Sequence, residues 1–153
     1  RARGLAARGR EATQIVGAYM LKKDIRPDRV ICSPSIRTVE TLLGIEHVYH
    51  SPLPVEYVEK LYLASAGEML NIIAAAPADV QHLLVIAHNP GMHELCVKLA
   101  KGGDEKLIDK MMIKFPTCAI ATFACHAPDW ASVHKARCEL LDFISPKMLG
   151  QVI

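Results

Sequence analysis

The sequence has little of any one thing that would announce a function. Lys and Arg outnumber Asp and Glu by only 18 to 16, a formal charge of +2. That is too small for a dedicated nucleic-acid binder that relies on a basic face, so no nucleic-acid partner is expected. There is no run of about 18 apolar residues, so no membrane-spanning helix is expected. No apolar core follows the opening arginines, so no secretory signal is expected. Among the five cysteines (Cys32, Cys96, Cys118, Cys125 and Cys138) no CxxC pair occurs. Free, buried thiols in a reducing cytoplasm are the expectation. No Cys/His/Asp/Glu cluster has metal-ligand spacing, so neither a metal nor a cofactor is expected. Walker-type and dinucleotide glycine loops are absent, as is a G-x-S-x-G elbow.

What remains is an ordinary globular balance over 153 residues, 51% hydrophobic and 22% charged. This excludes intrinsic disorder. A chain of that length buries roughly 70% of its unfolded surface as a single domain, 1–153, without staples. The chain opens on Arg1 rather than Met, and an N-terminal segment upstream of it is expected.

Apolar residues at helical spacing run from Gly9 to Leu21, and Pro27 follows. Arg29–Ser33 is a short apolar run stopped by Pro34, the pattern of a buried strand. Ser35 is a candidate N-cap for a helix ending near Gly44. Pro52 and Pro54 demote the stretch Val48–Tyr57 to a loop or an edge strand. Ser65, Gly67 and Glu68 open another helix. Leu83–Ala87 is five consecutive apolar residues, a strand covered on both faces. Pro90 opens a helix that stops at Gly102–Gly103, and runs at Cys118–Ala124 and Cys138–Ile144 read as strands joined by a turn. Strands alternating with helices, then two strands together, predict a three-layer α/β sandwich. Its central sheet is mainly parallel with an antiparallel strand near the C-terminus.

In open α/β sheets ligands sit beyond the carboxyl ends of the strands. Two such ends carry chemistry: Ser33-Pro34-Ser35-Ile36-Arg37-Thr38 and His88-Asn89-Pro90-Gly91. Arg37 falls in a helix's first turn, where its charge opposes the dipole and an anion such as phosphate would compensate. Pairing with Glu40 or Glu11 on the surface is the other reading. His88 can donate to a phosphoryl oxygen or act in acid–base chemistry; a strand-end histidine satisfied by backbone is the other reading there.

The whole pattern resembles the histidine phosphatase superfamily, also called phosphoglycerate-mutase-like. SPSIRTVETL after a strand, then VIAHNPGMHEL about fifty residues on, carries the resemblance. It extends through RGLAARGREATQIVGAYM, LYLASAGEMLNII, KFPTCAIATF and ELLDFISPKML, and within the family the short phosphohistidine-phosphatase branch is most similar. The resemblance implies catalytic, phosphate-binding roles for Arg37 and His88, a backbone N–H from Asn89, and a rim position for Arg3. It implies a metal-independent phosphohydrolase working through a phosphohistidine intermediate, on a phosphorylated protein or a small phosphate ester. The family's Arg-His-Gly nucleophile motif does not occur in the sequence. The domain is therefore expected to lack its first strand here, roughly 20–30 residues of strand and loop. Without that nucleophile a non-catalytic phosphoryl- or protein-binding domain is the other class. Glu59 and Glu68 are the candidates for the proton donor found in other branches, though neither stands in that donor's context.

Overall fold

The computed structural model describes residues 7–152. Its elements run α1 (Ala7–Lys22), β1 (Arg29–Cys32), α2 (Ile36–Tyr49), β2 (Val55–Tyr57) and α3 (Ala66–Ala74). Then come β3 (Leu83–Ile86), α4 (Gly91–Leu99), β4 (Gly102–Gly103), α5 (Glu105–Ile113), β5 (Ile120–His126), β6 (Arg137–Ile144) and α6 (Pro146–Val152). The strands form two three-stranded sheets. One is parallel, in the order β2-β1-β3. The other has the order β4-β6-β5, with β6 parallel to β4 and antiparallel to β5. The expected mainly parallel α/β sandwich with an antiparallel member is present, its strand layer divided into two.

Strand alternation explains the layers. Val30 and Cys32 of β1, with Leu84 and Ile86 of β3, face the α1–α2 side and pack with Val16, Met20, Leu42 and Ile45. Ile31, Leu83 and Val85 face the other side and pack with Met69, Leu70 and Ile73 of α3 and Leu95 of α4. Fully buried side chains such as Met20 and Leu42 each contribute about 1.5–3 kcal/mol. A third cluster joins Cys96 and Met111 to Leu140 and Phe143 of β6. The two sheets are tied across by helix contacts: the Tyr19 hydroxyl of α1 donates to Asp142 of β6.

Local signals account for most ends. Ser35 caps α2 by accepting from the Thr38 N–H, and Ser65 and Glu68 form a reciprocal capping box on α3. Four expectations are corrected. Helix α2 runs on to Tyr49, because Gly44 serves close contact with α1 rather than termination. Gly102–Gly103 pairs as β4 instead of only stopping a helix. Helix α5, capped by Asp104, was not anticipated. Finally, Cys125 and Cys138, directly opposed across β5 and β6 with Cα atoms 4.0 Å apart, are joined in a disulfide, not free. Cys32, Cys96 and Cys118 are free thiols.

Candidate active site

Both faces of β3 are covered, as the apolar run implies, yet Leu83, Leu84 and Val85 remain only half-buried. The reason is an open edge. Among the described residues β3 pairs with β1 on one side only, and β5 pairs with β6 on one side only. Between those two edges runs a cleft of about 1230 Å³, lined by Leu83–His88 from one side and Cys118–Cys125 from the other. Each edge presents backbone N–H and C=O groups that a further strand could pair. Among the described residues no helix is long and apolar enough to cross a membrane, and no group of three or more His, Cys, Asp or Glu could hold a metal ion.

The head of this cleft is where β1 and β3 end. Parallel register sets Cys32 beside Ile86, so Ser33 and His88 emerge together. Ser33 Oγ lies 3.0 Å from His88 Nε2, and Ser35 Oγ lies 3.4 Å from the same nitrogen. Tyr62 meets the imidazole edge-on, with centroids 5.2 Å apart, and fixes its plane. Burial holds the His88 pKa below the ordinary 6.5, with the nearby Arg37 charge adding to the effect. The ring is therefore neutral at pH 7.

Arg37 sits in the first turn of α2, exposed, and lines the cleft with His88. Its guanidinium makes no ion pair or hydrogen bond with any described residue. The surface pair with Glu40 or Glu11 is therefore not formed. A cation placed against the positive end of a helix, with no counter-charge among the described residues, is chemically suited to an anion. Its field also reaches Cys118, whose thiol burial pushes up in pKa while Arg37 pulls it down. The net rise leaves that thiol protonated and poorly nucleophilic.

Asn89 is placed here too, but its side chain is structural. Its Oδ1 accepts from the His93 N–H at 3.1 Å, capping α4, and its Nδ2 donates to the Phe115 carbonyl at 3.2 Å. Pro90, preceded by a cis bond, offers no cap of its own. Gly91 lets α4 start against the chain that bears Tyr62, since a Cβ there would lie 2.1 Å from the Ala64 carbonyl oxygen. Arg3 lies outside the described residues. Neither Glu59 nor Glu68 lines the cleft. Glu68 is committed to the α3 cap, whose hydrogen bonds hold its carboxyl below the usual range. Asp129, the one carboxylate among the cleft-lining residues, caps a 3-10 turn through Ser132. Other imidazoles stand elsewhere. His93 bonds the Met111 carbonyl and stacks on Phe115. His82 precedes β3, at the end opposite His88.

Sequence reasoning did not assign Ser33 or Tyr62. The usable signal for Ser33 was a hydroxyl residue one step past an apolar strand, level with His88 once the strands are in register.

No family model matches the chain. An uncharacterized protein of Mycobacterium tuberculosis is 32% identical over 149 residues, 95% of this chain and 90% of that protein. One of Mycobacterium leprae is 29% identical over 148 residues, 95% and 88% of the two chains. A solved structure assigned as the phosphohistidine phosphatase SixA of Nakamurella multipartitia superposes with a TM-score of 0.84 at 25% identity. It covers 95% of this chain and 87% of the other. The same assignment from Agrobacterium tumefaciens gives 0.76 at 25%, with the same coverage. A protein histidine phosphatase SixA complexed with tungstate gives 0.76 at 22%, covering 97% and 87%. The fold is that of the SixA-type structures of the histidine phosphatase superfamily. Within it, the structural neighbours are SixA-type phosphohistidine phosphatases, which supports a histidine-phosphatase-like activity.

Proposed function

We propose that the protein is a metal-independent phosphohydrolase that removes phosphate from protein phosphohistidine through a phosphohistidine intermediate of its own. The observation that carries this reading is an Arg37 with no ion-pair partner among the described residues and a neutral His88 at one cleft head, where the one described lining carboxylate, Asp129, is held in a cap. Arg37 supplies charge to the equatorial oxygens and His88 a neutral donor, so the charge that develops in transfer is met by the chain's own groups.

The reaction also needs a nucleophilic imidazole, and among the described residues no second one stands at the head. The open edges of β3 and β5 suit a strand seated between them, and we assign the nucleophile to the carboxyl end of such a strand. A neutral nitrogen of that histidine attacks phosphorus while the P–N bond to the substrate ring breaks. The substrate ring reacts with a proton from solvent on its other nitrogen, so the bonding pair stays with an imidazole that leaves neutral, carrying that N–H. Water then attacks the enzyme's phosphohistidine, and inorganic phosphate and the free imidazole are the products.

The test is chemical trapping in the chain as encoded by its gene. Brief incubation with a phosphohistidine protein labelled on phosphorus should transfer label to the enzyme in an acid-labile, base-stable form, undiminished by EDTA. Failure to label, or a strict divalent-metal requirement, sinks the proposal.

A further inference from the structure

We infer that Ser33 is a positioning residue that sets the tautomer of His88: its hydroxyl donates to Nε2, so the ring's own proton sits on Nδ1 and is presented to the phosphoryl group. The second half rests on the reading of the cleft head given above; the first half does not.

The argument is an account of protons. Ser33 is fully buried. Its backbone is pinned on three sides: its N–H donates to the Ile86 carbonyl at 3.0 Å, and its carbonyl accepts from the Thr38 hydroxyl at 2.6 Å and the Cys32 thiol at 3.3 Å. The Ser33 hydroxyl has one partner among the described residues, His88 Nε2. Thr38 has one hydroxyl proton, and a carbonyl can only accept, so that proton goes to the Ser33 carbonyl, with the Ser35 carbonyl at 3.0 Å as its alternative. The 2.8 Å contact between Ser35 Oγ and Thr38 Oγ1 must then use the Ser35 proton. Ser35 therefore has none left for His88.

Two arrangements of His88 remain. If Nε2 carried the proton, it would donate to Ser33 Oγ and weakly to Ser35 Oγ. The Ser33 O–H would then be buried with no acceptor, at a cost of about 1–3 kcal/mol. If Nδ1 carries the proton, Ser33 donates to Nε2 at 3.0 Å, and only the longer 3.4 Å contact to Ser35 is forfeited. The second arrangement leaves no buried donor unpaired. His88 Nδ1 has no partner among the described residues, so its N–H is available to a ligand in the cleft that His88 lines. The depressed pKa agrees, since only a neutral ring has a tautomer to fix.

The experiment uses the chain as encoded, labelled with nitrogen-15. Long-range proton–nitrogen correlation at pH 7.5 should show His88 with a pyrrole-type Nδ1 and a pyridine-type Nε2. The reverse pattern overturns the assignment, and it does so on the unsubstituted protein. Ser33→Ala should raise the Nε2–H form to a substantial share and lower kcat more than it raises KM. Ser33→Thr should restore the original tautomer. An unchanged tautomer in folded Ser33→Ala protein also overturns it. Titration with inorganic phosphate should move the Nδ1–H resonance. If phosphate moves neither ring nitrogen, the presentation to a phosphoryl group fails while the tautomer assignment stands.

Discussion

Gly44 of α2 faces Thr13 of α1 so closely that a Cβ built on it would lie 1.8 Å from Thr13 Oγ1 and 2.6 Å from Thr13 Cβ. Thr13 is itself buried and bonds the Arg10 carbonyl at 2.7 Å. Mid-helix Gly→Ala ordinarily gains about 1 kcal/mol from propensity. Here overpacking of about 1–3 kcal/mol opposes it, and at distances this short the clash wins. Gly44→Ala should therefore destabilise the fold, read as a lower denaturation midpoint. Adding Thr13→Ala should recover only part of the loss, because the 2.6 Å approach to Cβ remains. A neutral or stabilising Gly44→Ala would show that α1 and α2 do not pack this tightly.

Arg37 is exposed and has no ion-pair partner among the described residues, so its removal should leave stability nearly unchanged. In the proposed reaction its role is electrostatic. Arg37→Ala should cost transition-state stabilisation of about 3–4 kcal/mol, a loss of roughly 10²–10³ in kcat, by analogy with deleting one oxyanion donor. Arg37→Lys should recover only part of this, since a point charge does not reproduce the planar fork of donors. Steady-state kinetics beside a thermal melt separate the two effects. A full-activity Arg37→Ala protein would remove Arg37 from the site.

His88 makes stability depend on pH with a definite sign. Its folded pKa is lowered, by burial first and Arg37 second. Between the folded value and the ordinary 6.5 the unfolded chain binds the extra proton, so stability rises with pH across that window. The contribution is complete above 6.5 and is lost as pH falls below it. Unfolding free energies measured from pH 7.5 down to 5.5 should therefore fall more steeply for the unsubstituted protein than for His88→Asn. Parallel curves would mean that the ring is not held neutral.

How much of this was legible beforehand depended on the range of the interaction. Arg37 and His88 could be found because each is local: an apolar strand, a turn residue, then a helix start. Ser33 acts only through the register of β1 on β3, which no window around Ser33 contains. Gly44 read as a helix end because its reason lies in α1. Helix α5 has its own cap in Asp104 and an amphipathic pattern, so that signal was available and was passed over between two glycines and a strand. The cysteine pairing depended on where the connection between β5 and β6 closes, with His126 against Arg137 and Cys125 against Cys138 one step further in, a pairing that no window around either cysteine contains.

The disulfide between Cys125 and Cys138 spans 13 residues. A loop of that size removes about 3 kcal/mol of denatured-state freedom in the chain-entropy account. Denaturation with and without reductant should differ by about 2–3 kcal/mol. The double variant Cys125→Ser/Cys138→Ser should match the reduced protein and ignore reductant. A melt insensitive to reductant in the unsubstituted protein would refute the bond's contribution.

The last prediction concerns the substrate. In the chain as encoded, a phosphohistidine protein should be turned over with a higher kcat/KM than 3-phosphoglycerate or a sugar phosphate. An alkoxide leaving group needs a proton in the transition state. Among the described residues that line the cleft no carboxylic acid is free to give one: Glu59 and Glu68 lie off the cleft, and Asp129 is held in its cap. A substrate imidazole that solvent has protonated on its other ring nitrogen leaves neutral without such help. The cleft is also open and edged by strands, so it gives a small ester little enclosure to offset a poor leaving group. His88→Ala should then slow every substrate, because in the proposed reaction His88 acts on the phosphoryl group common to all. Glu59→Gln and Glu68→Gln should barely alter phosphohistidine turnover, apart from a modest loss of stability at the α3 cap for Glu68. If either abolished turnover, or if sugar phosphates showed the higher specificity constant, a carboxylic-acid donor would be at work and the enzyme would belong with the small-ester phosphatases of the superfamily.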